Sequence, residues 1–541
     1  MDAKRLKELG DDTFTKRESL LQLWQSIGEN FYPIRADFTY QRQLGYDFAS
    51  DLASSYPIIV CRELSDQIGM MLRPTEKQWF HMIAPDVNKE DNDARRWMEW
   101  ATGVQRRAMY DTASQFARAT KEGDADFATF GQFVMSVHLN RNQDTLLYRC
   151  WHLRDCAWIE GDEGKIACVW RKWKPKVLEL NRLFGSKLHR NVTAKMERRP
   201  FEEVECMHIV VDSDLYDGDA RGRPRWSVYY DCDNHYVIEA TPIWGKHYII
   251  PRWQTVAGSQ YAFSPATIAA LPDARLLQAM TMTLLEAGEK AVNPPLIATQ
   301  DAVRSDIAIY AGGITWVDME YDEKLGAALR PLTQDYRQLP VGIDMQRDSK
   351  LMLAQAFFLN KLALPQRAPE MTAFEIGQRV QEWIRSALPI FEPMEAEDNG
   401  QLCEETFDVL MRGGAFGSPF DMPRGLRGAE VKFKFSSPLH DIIEQQKGTK
   451  LLEAKALIAE AAALDRAALV MVDAQVALRD ALAGAGVPAK WVRSEISVKQ
   501  IERAKQQAEE AQTTLDAMEQ GSVVAGNLAS ASKDLAAAPA M

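Results

Sequence analysis

Two apolar helical stretches of equal length, each stopped by proline, leave this chain few architectures. Ser264-Pro265 has the residue types of a helix start, and Pro272 restarts or kinks that helix. Leu277, Met280, Leu284, Ala287 and Ala291 then keep to one stripe until Asn293-Pro294-Pro295 ends it. From Pro272 to Val292 such a helix is about 30 Å long, at about 1.5 Å per residue. A second stretch begins near Gly342, places Leu351, Ala354, Phe358 and Leu362 on one face, and by Leu362 is again about 30 Å long. Between them lies a module of about 45 residues in which two short alternating runs, 307–310 and 314–317, flank Gly312-Gly313 in the pattern of a β-hairpin. Matched rods around such a module predict an antiparallel helix pair with a small α/β cap at its far end.

The flanking chain has its own periods. Leu20, Leu23, Trp24, Ile27 and Phe31 predict an opening helix that Tyr32-Pro33 stops; Cys61, Leu64, Ile68 and Met71 predict another that ends before Pro74. Trp97, Ala101, Val104 and Ala108 share the face of a third. From about Phe133 the period becomes two. Runs at 133–139, 166–170, 201–210, 226–231 and 236–240 predict a β-rich layer, with turns at Gly161-Asp-Glu-Gly164 and Asp217-Gly218-Asp219. After the second rod, Leu364-Pro365-Gln366-Arg367-Ala368-Pro369-Glu370 reads as a loop. Thr372-Ala-Phe-Glu375 is a capping box that opens a further helix. Val431-Lys-Phe433-Lys-Phe435 is a strand, residues 439–519 read as Ala-rich helices, and 522–541 as a frayed tail.

With 541 residues, 46% of them hydrophobic, there is material for roughly three to five folding units. Lys and Arg number 64 against 76 Asp and Glu, a net of −12, so contact with nucleic acid along the whole surface is excluded and any such contact is local. No apolar run is long enough for a membrane span and Met1-Asp2-Ala3-Lys4-Arg5 opens no secretory segment, which predicts a soluble chain made in the cytoplasm. Seven cysteines with no Cys-x-x-Cys pair suit a reducing compartment.

Catalytic patterns are weak. Gly161 to Lys165 lacks the spacing of a phosphate loop, and Ile166 stands where that loop needs a hydroxyl. Cys150, His152, Cys156, Cys168, Cys206 and His208 carry zinc-ligand chemistry at spacings that match no zinc pattern, and buried strand cysteines explain them as well. Asp212-Ser-Asp214-x-x-Asp217-Gly218-Asp219 approaches a calcium loop, but its glycine comes one place late and Arg223 replaces the closing Glu. H-E-x-x-H, G-x-S-x-G and G-x-G-x-x-G are absent. The reading is therefore no enzyme, with no catalytic, cofactor or metal residues. The aromatic-basic runs Arg171-Lys-Trp173-Lys174 and Arg225-Trp-Ser-Val-Tyr-Tyr offer base-stacking chemistry, but packing of a β layer accounts for them better.

Ordered fragments across nearly the whole length resemble the portal, or head-to-tail connector, proteins of short-tailed, podovirus-type bacteriophages. They are Trp24 to Tyr32-Pro33, Leu72-x-Pro74 with Trp79-Phe80, Leu183-Phe184-Gly185, Pro251-Arg252-Trp253, Tyr261-x-x-Ser264-Pro265, Ala270-Leu271-Pro272-Asp273, Pro294-Pro295 and Met371-Thr372-Ala373-x-Glu375-x-x-x-Arg379. The family commonly has Gly and a basic residue between the Tyr and the Ser-Pro, where this chain has Ala262-Phe263.

The resemblance implies an α+β, mostly helical portal fold. Its parts would be a wing over residues 1–264, a first stem helix over 265–296, a clip over 297–340 and a second stem helix over 341–362. A channel loop over 363–371, a wing helix and closing strand over 372–438, a helical crown over 439–521 and a flexible tail over 522–541 would complete it. It further implies a homo-oligomeric ring of twelve copies at one capsid vertex of the virion, a conduit for double-stranded DNA in packaging and ejection. Partners would be the terminase motor, capsid and scaffolding proteins, a tail adaptor and internal core proteins, with no membrane and no cofactor. The clip, Ile297 to Leu339, holds seven acidic and four basic residues, a net of −3 that suits docking of proteins over gripping of DNA. Lys361, Gln366 and Arg367 are the DNA-channel candidates, with Arg367 the only cation of its loop and pairing to Glu370 as its alternative. Two other readings are a ring-forming tail adaptor or other structural head protein, usually shorter, and a metal-dependent hydrolase using the Asp212 to Asp219 turn.

Overall fold

In the computed structural model the described residues are 1–84 apart from 42, 44 and 46, then 92–292, 294, 296–298, 329–331, 339–362, 394–418, 421–423, 425–427 and 431–436. Positions 379, 382–383, 385–386, 390–391, 478, 491, 498, 500–501 and 503–507 are described in addition. Helices α1 (Ala3–Lys16), α2 (Glu18–Phe31) and α3 (Tyr56–Leu72) precede strand β1 (Phe80–Ile83), and α4 (Asn92–Met109) and α5 (Phe116–Phe130) follow it. Next come β2 (Val134–Leu139), β3 (Leu146–Trp151), β4 (Cys156–Glu160), β5 (Ile166–Trp173), α6 (Val177–Phe184), α7 (Arg190–Arg198), β6 (Cys206–Asp212), β7 (Arg225–Asp231), β8 (Tyr236–Ile243) and β9 (Tyr248–Ile249). The rest is α8 (Leu271–Val292), β10 (Leu296–Ala298), β11 (Leu329–Pro331), α9 (Leu339–Ala356), α10 (Leu359–Leu362), α11 (Gln401–Arg412) and β12 (Lys432–Phe435). The class is mixed α+β. The chain divides into two units, Met1–Trp79 with Gln105–Ala415, and Phe80–Val104 with Phe416–Met541.

In the first unit the predicted β layer is two antiparallel sheets, β4-β5-β6-β7-β8 and β3-β2-β9. The run read as a strand from Phe201 starts only at Cys206, and it does not alternate between core and solvent, because Cys206 to Val211 are all buried. The physical reason is α1, which the apolar periodicity did not separate from α2. Leu6 of α1 lies among Trp170, Met207, Ile209, Val211, Val228 and Tyr230, and the Trp170 indole N–H donates to the Leu6 carbonyl at 2.9 Å. Each aliphatic side chain closed over in this way contributes roughly 1.5–3 kcal/mol. The connection α6–α7 closes a smaller cluster, with Val177, Leu180 and Val192 against Val204 and Ile238. Gly161-Asp-Glu-Gly164 is the β4–β5 turn, with the Gly164 N–H donating to the Gly161 carbonyl at 3.0 Å.

The first predicted rod is α8. Ser264 starts it as expected, its Oγ accepting from the Thr267 N–H at 3.2 Å and donating to the Thr129 carbonyl at 2.7 Å. Ala266–Ala270 is a π-helical turn that runs straight into α8, so Pro272, which lacks an N–H, sits in a continuous helix where the preceding hydrogen bonds are already displaced. The second rod, α9, lies antiparallel to α8. Gly342 meets Leu284, the Gln346 amide donates to Thr281 Oγ1 at 2.9 Å, and Ser349 lies 4.0 Å from the Met280 sulfur. A Cβ at position 342 would come within 2.9 Å of Leu284 Cδ2, so any larger residue there would push the Leu284 side chain aside. β10 and β11 pair antiparallel where the chain leaves α8 and returns towards α9, with Ile297 opposite Arg330. The second rod is not one helix to Leu362. It breaks at Phe357-Phe358, where Phe358 has φ +59°, and α10 resumes beyond the break.

In the second unit β12 is the predicted strand, and its partner is β1, with Phe80 opposite Phe435 and Met82 opposite Phe433. Trp97 and Trp100 of α4 pack against Phe416, at centroid distances of 6.1 and 6.4 Å. Within this unit the buried line of α4 is Ala94, Met98 and Ala101, so Trp97 lies off the expected stripe and reaches sideways to Phe416. The 307–317 hairpin, the Thr372 capping box, the channel loop and the 522–541 tail lie outside the described residues, as does most of the 439–519 helical region.

Candidate functional site

The candidate site is the place within the first unit where the chain enters the α8–α9 excursion and comes back from it, and α5 is its anchor. Most of α5 is buried, and it ends at Gly131, whose φ is +77° and where a Cβ would lie 2.6 Å from the Phe263 carbonyl carbon. Only glycine lets the segment before Ser264 cross so close. The Trp253 N–H donates to the Gly131 carbonyl at 2.8 Å, and its ring lies 5.3 Å from Phe127. Trp24 packs against Phe38, Phe130 and Tyr261 at 5.6, 6.3 and 5.9 Å. Residues that carried the resemblance from distant parts of the sequence, Trp24, Trp253, Tyr261 and Ser264, thus surround one helix.

The return passes through a second π-helical turn, Glu395–Gly400, which is tied down by buried charge. Arg73, between Leu72 and Pro74, is enclosed by Asp124 of α5, by Asp398 at 2.5 Å and by the Asn399 side-chain oxygen at 3.1 Å; Asn399 in turn donates to the Leu72 carbonyl at 3.0 Å. Burial pushes the Asp124 carboxyl up to about 6 despite the facing guanidinium, and Asp398 beside it adds to the rise. Burial acts to lower Arg73, yet the two carboxylates hold its pKa above the ordinary value. Arg252 binds the same turn through Glu397, whose Oε2 accepts the Arg252 backbone N–H at 2.8 Å, and it reaches Glu160 at 3.4 Å. Asp126 on α5 holds Arg35 at 2.8 Å, and burial raises its pKa. None of these carboxylates was singled out in the sequence; the signal available was Asp124 and Asp126 beside Phe127 and Phe130 in the half of the helix that leads to Gly131.

Of the DNA-channel candidates, Lys361 lies on α10, exposed, with its ammonium 5.8 Å from the centre of the Phe358 ring, while Leu362 beside it is buried. Gln366 and Arg367 lie outside the described residues. The end of α9 is held by rings, Phe357 against Phe31 at 5.3 Å and Phe358 stacked on Trp253 at 6.4 Å and 16°.

The residues with metal-ligand chemistry are dispersed. His152 meets Asp37 at 2.5 Å, and His208 is shared between the Tyr248 hydroxyl at 2.6 Å and Ser227 at 2.8 Å. Burial keeps the thiols of Cys150, Cys156, Cys168 and Cys206 raised. In the acidic turn Asp212 pairs with Arg225 at 2.9 Å, Asp217 with the Met1 amine at 3.1 Å, and Asp219 accepts the Arg221 N–H at 3.0 Å, so these carboxylates face separate donors. Among the described residues no cluster of His, Cys, Asp or Glu is arranged to hold a metal ion, and no helix is long and apolar enough to cross a membrane.

Residues 3–492 match the family described as bacteriophage head to tail connecting protein. A probable portal protein of Bordetella phage BPP-1 is 24% identical over 437 residues, covering 79% of this chain and 77% of the relative. The portal protein of Salmonella phage epsilon15 is 23% identical over 473 residues, covering 84% and 83%. Among solved structures, a chain of the neck of an empty gene transfer agent particle, computed with C6 symmetry, is similar at a TM-score of 0.35 and 9% identity over 79% of this chain and 95% of that one, a likeness too distant to bear on the fold. The family match spans most of the sequence, and the chain belongs to the bacteriophage head to tail connecting proteins. Its function is that of a phage portal, a structural component of the virion.

Proposed function

We propose that copies of this chain, twelve in the arrangement the family implies, close into a ring at one capsid vertex and pass double-stranded DNA along the axis during packaging and ejection. The observation that carries this reading is the surface of the α8–α9 pair. Met282, Leu285 and Val292 on one helix and Ile343, Met345 and Met352 on the other are exposed, Val292 at 88%, while the pair's own contact is made by the residues between them. A lone soluble chain gains nothing from an apolar rod bare on its outer sides; sister rods packed alongside would cover it, and a head-to-tail contact that closes makes a ring. In this reading α8 and α9 are the stem, the module they carry is the clip that docks terminase and later the tail, the sheets form the wing, and the C-terminal helices form the crown.

The electrostatics agree with a conduit. Duplex DNA carries about one negative charge per 1.7 Å of axis, so a channel dense in Lys and Arg would arrest it. Lys361, Gln366 and Arg367 from every copy form a thin ring that touches phosphates without reading bases.

Electron micrographs of the purified full-length chain test this directly. Rings with an axial hole are expected, and Leu285→Glu with Ile343→Glu should leave single subunits that keep the native circular dichroism. Rings that persist in the double variant would refute the stem contact, and a wild-type chain that stays single would refute the conduit. Arg367→Glu is expected to lower the DNA retained in heads, with ring assembly unchanged.

A further inference from the structure

We infer that Phe358 is a two-position hinge, and that the Trp253–Phe358 stack is the catch that keeps α9 and α10 bent. Nothing local in the sequence calls for a break there. Between Gly342 and Pro365 there is neither glycine nor proline, and Leu351-Met-Leu-Ala-Gln-Ala356 is a run of good helix formers leading into Phe357-Phe358, which are weaker formers but no helix breakers. Yet Phe358 takes φ +59°, a conformation that a bulky side chain rarely adopts, and the hydrogen bonds turn with it. The Phe358 N–H donates back three residues, to the Gln355 carbonyl at 3.0 Å, and the Phe358 carbonyl accepts from both Lys361 at 2.9 Å and Leu362 at 3.0 Å. Local sequence therefore permits one helix while tertiary contacts impose two, and such conflicts mark strained or functional positions.

The contacts divide into a fixed part and a releasable part. Phe357, fully buried on Phe31, belongs to the end of α9 in either state. Phe358 on Trp253 and Leu362 in its buried site exist only in the bent state, and Trp253 is itself fixed to the body through Gly131 and Phe127. Returning Phe358 to right-handed helical angles would join α9 to α10, take the Phe358 ring off Trp253 and redirect the turn that carries Lys361. The hinge does not depend on the conduit reading. Its consequence for DNA does, since a polyanion drawing on Lys361 would pull against the catch.

Spin labels on the full-length chain, at Asp344→Cys and Asn360→Cys, with labelled copies diluted among unlabelled ones, read the bend in whatever assembly the chain forms. Both sites are exposed, and a continuous helix would put them about 25 Å apart. The otherwise native chain should show a shorter distance. Phe358→Ala should move most of the population to the longer one, Phe358→Gly should stay short because glycine accepts the left-handed angle, and Trp253→Ala should behave like Phe358→Ala. Identical distances in the alanine and glycine variants, or no response to Trp253→Ala, would overturn the hinge. Should an alanine variant fail to fold, Trp253→Leu makes the same test. Loss of the rings with the distances behaving as stated would count against the conduit alone.

Discussion

The five-stranded sheet and the α8–α9 pair are built from similar apolar residues and treat them in opposite ways. In the sheet every large side chain of β6 is closed over, on one face by α1. Along the rods, Leu277 and Leu353 are buried while Met282, Leu285, Ile343 and Met352 stay open. One region satisfies its sequence within a single chain and the other does not, so the first encodes a fold and, on the proposed function, the second encodes an assembly. Substitutions should separate the two roles.

The largest effect belongs to the sheet. Trp170→Ala empties a fully buried site and frees the Leu6 carbonyl, so a loss of about 3–5 kcal/mol is expected in urea unfolding, with the rods' association lost only as the body melts. Arg73→Met, where the returning chain is pinned, leaves Asp124 and Asp398 buried without a cation and should cost about 3–5 kcal/mol by the same measurement. Asp124→Asn in that background should recover part of the loss.

Next comes pH. His138 and His247 stack at 5.6 Å, with His208 4.9 Å from His247, Arg171 and Arg149 nearby, and Glu405 accepting the His247 N–H. Burial, helped by Arg149 and Arg171, lowers His138 to about 4, and burial, helped by His138 and Arg171, lowers His247 to about 3. The unfolded chain therefore binds the extra protons first, and stability present above pH 6.5 drains away as pH falls from 6.5 towards 4. Asp124, raised to about 6, acts in the opposite sense, its contribution being lost as pH rises from 3.8 to 6. Thermal melts of His247→Gln should show a flatter acid limb, and melts of Asp124→Asn a steeper decline towards acid. The smallest effect on the chain itself belongs to the rods. Leu285→Ser should change unfolding by no more than about 0.5 kcal/mol while shifting the ring–subunit balance in sedimentation.

Legibility in the sequence divides along the same line. Prolines and a single stripe located α8 closely, and period two found β2, β5, β7, β8 and β12, because these signals are local. β1 was missed because its four residues pair with a strand some 350 positions away. The face of α4 was misplaced because Trp97 turns towards Phe416, and the break at Phe358 was invisible because its cause, Trp253, lies a hundred residues earlier. Of the site, the aromatic framework could be read; Arg73 with Asp124 and Asp398 could not, since a buried charge network is recognised only when its partners are brought together.

The π-helical turns Ala266–Ala270 and Glu395–Gly400 stand at the exit and the re-entry of the long excursion, each leading directly into an ordinary helix. A π turn stores one surplus residue. Deleting a residue there would restore ordinary helical winding and rotate the adjoining helix by about 100°. Length variation at these two points, more than substitution along the rods, is then the means by which related chains could re-aim their protrusion towards differently shaped neighbours.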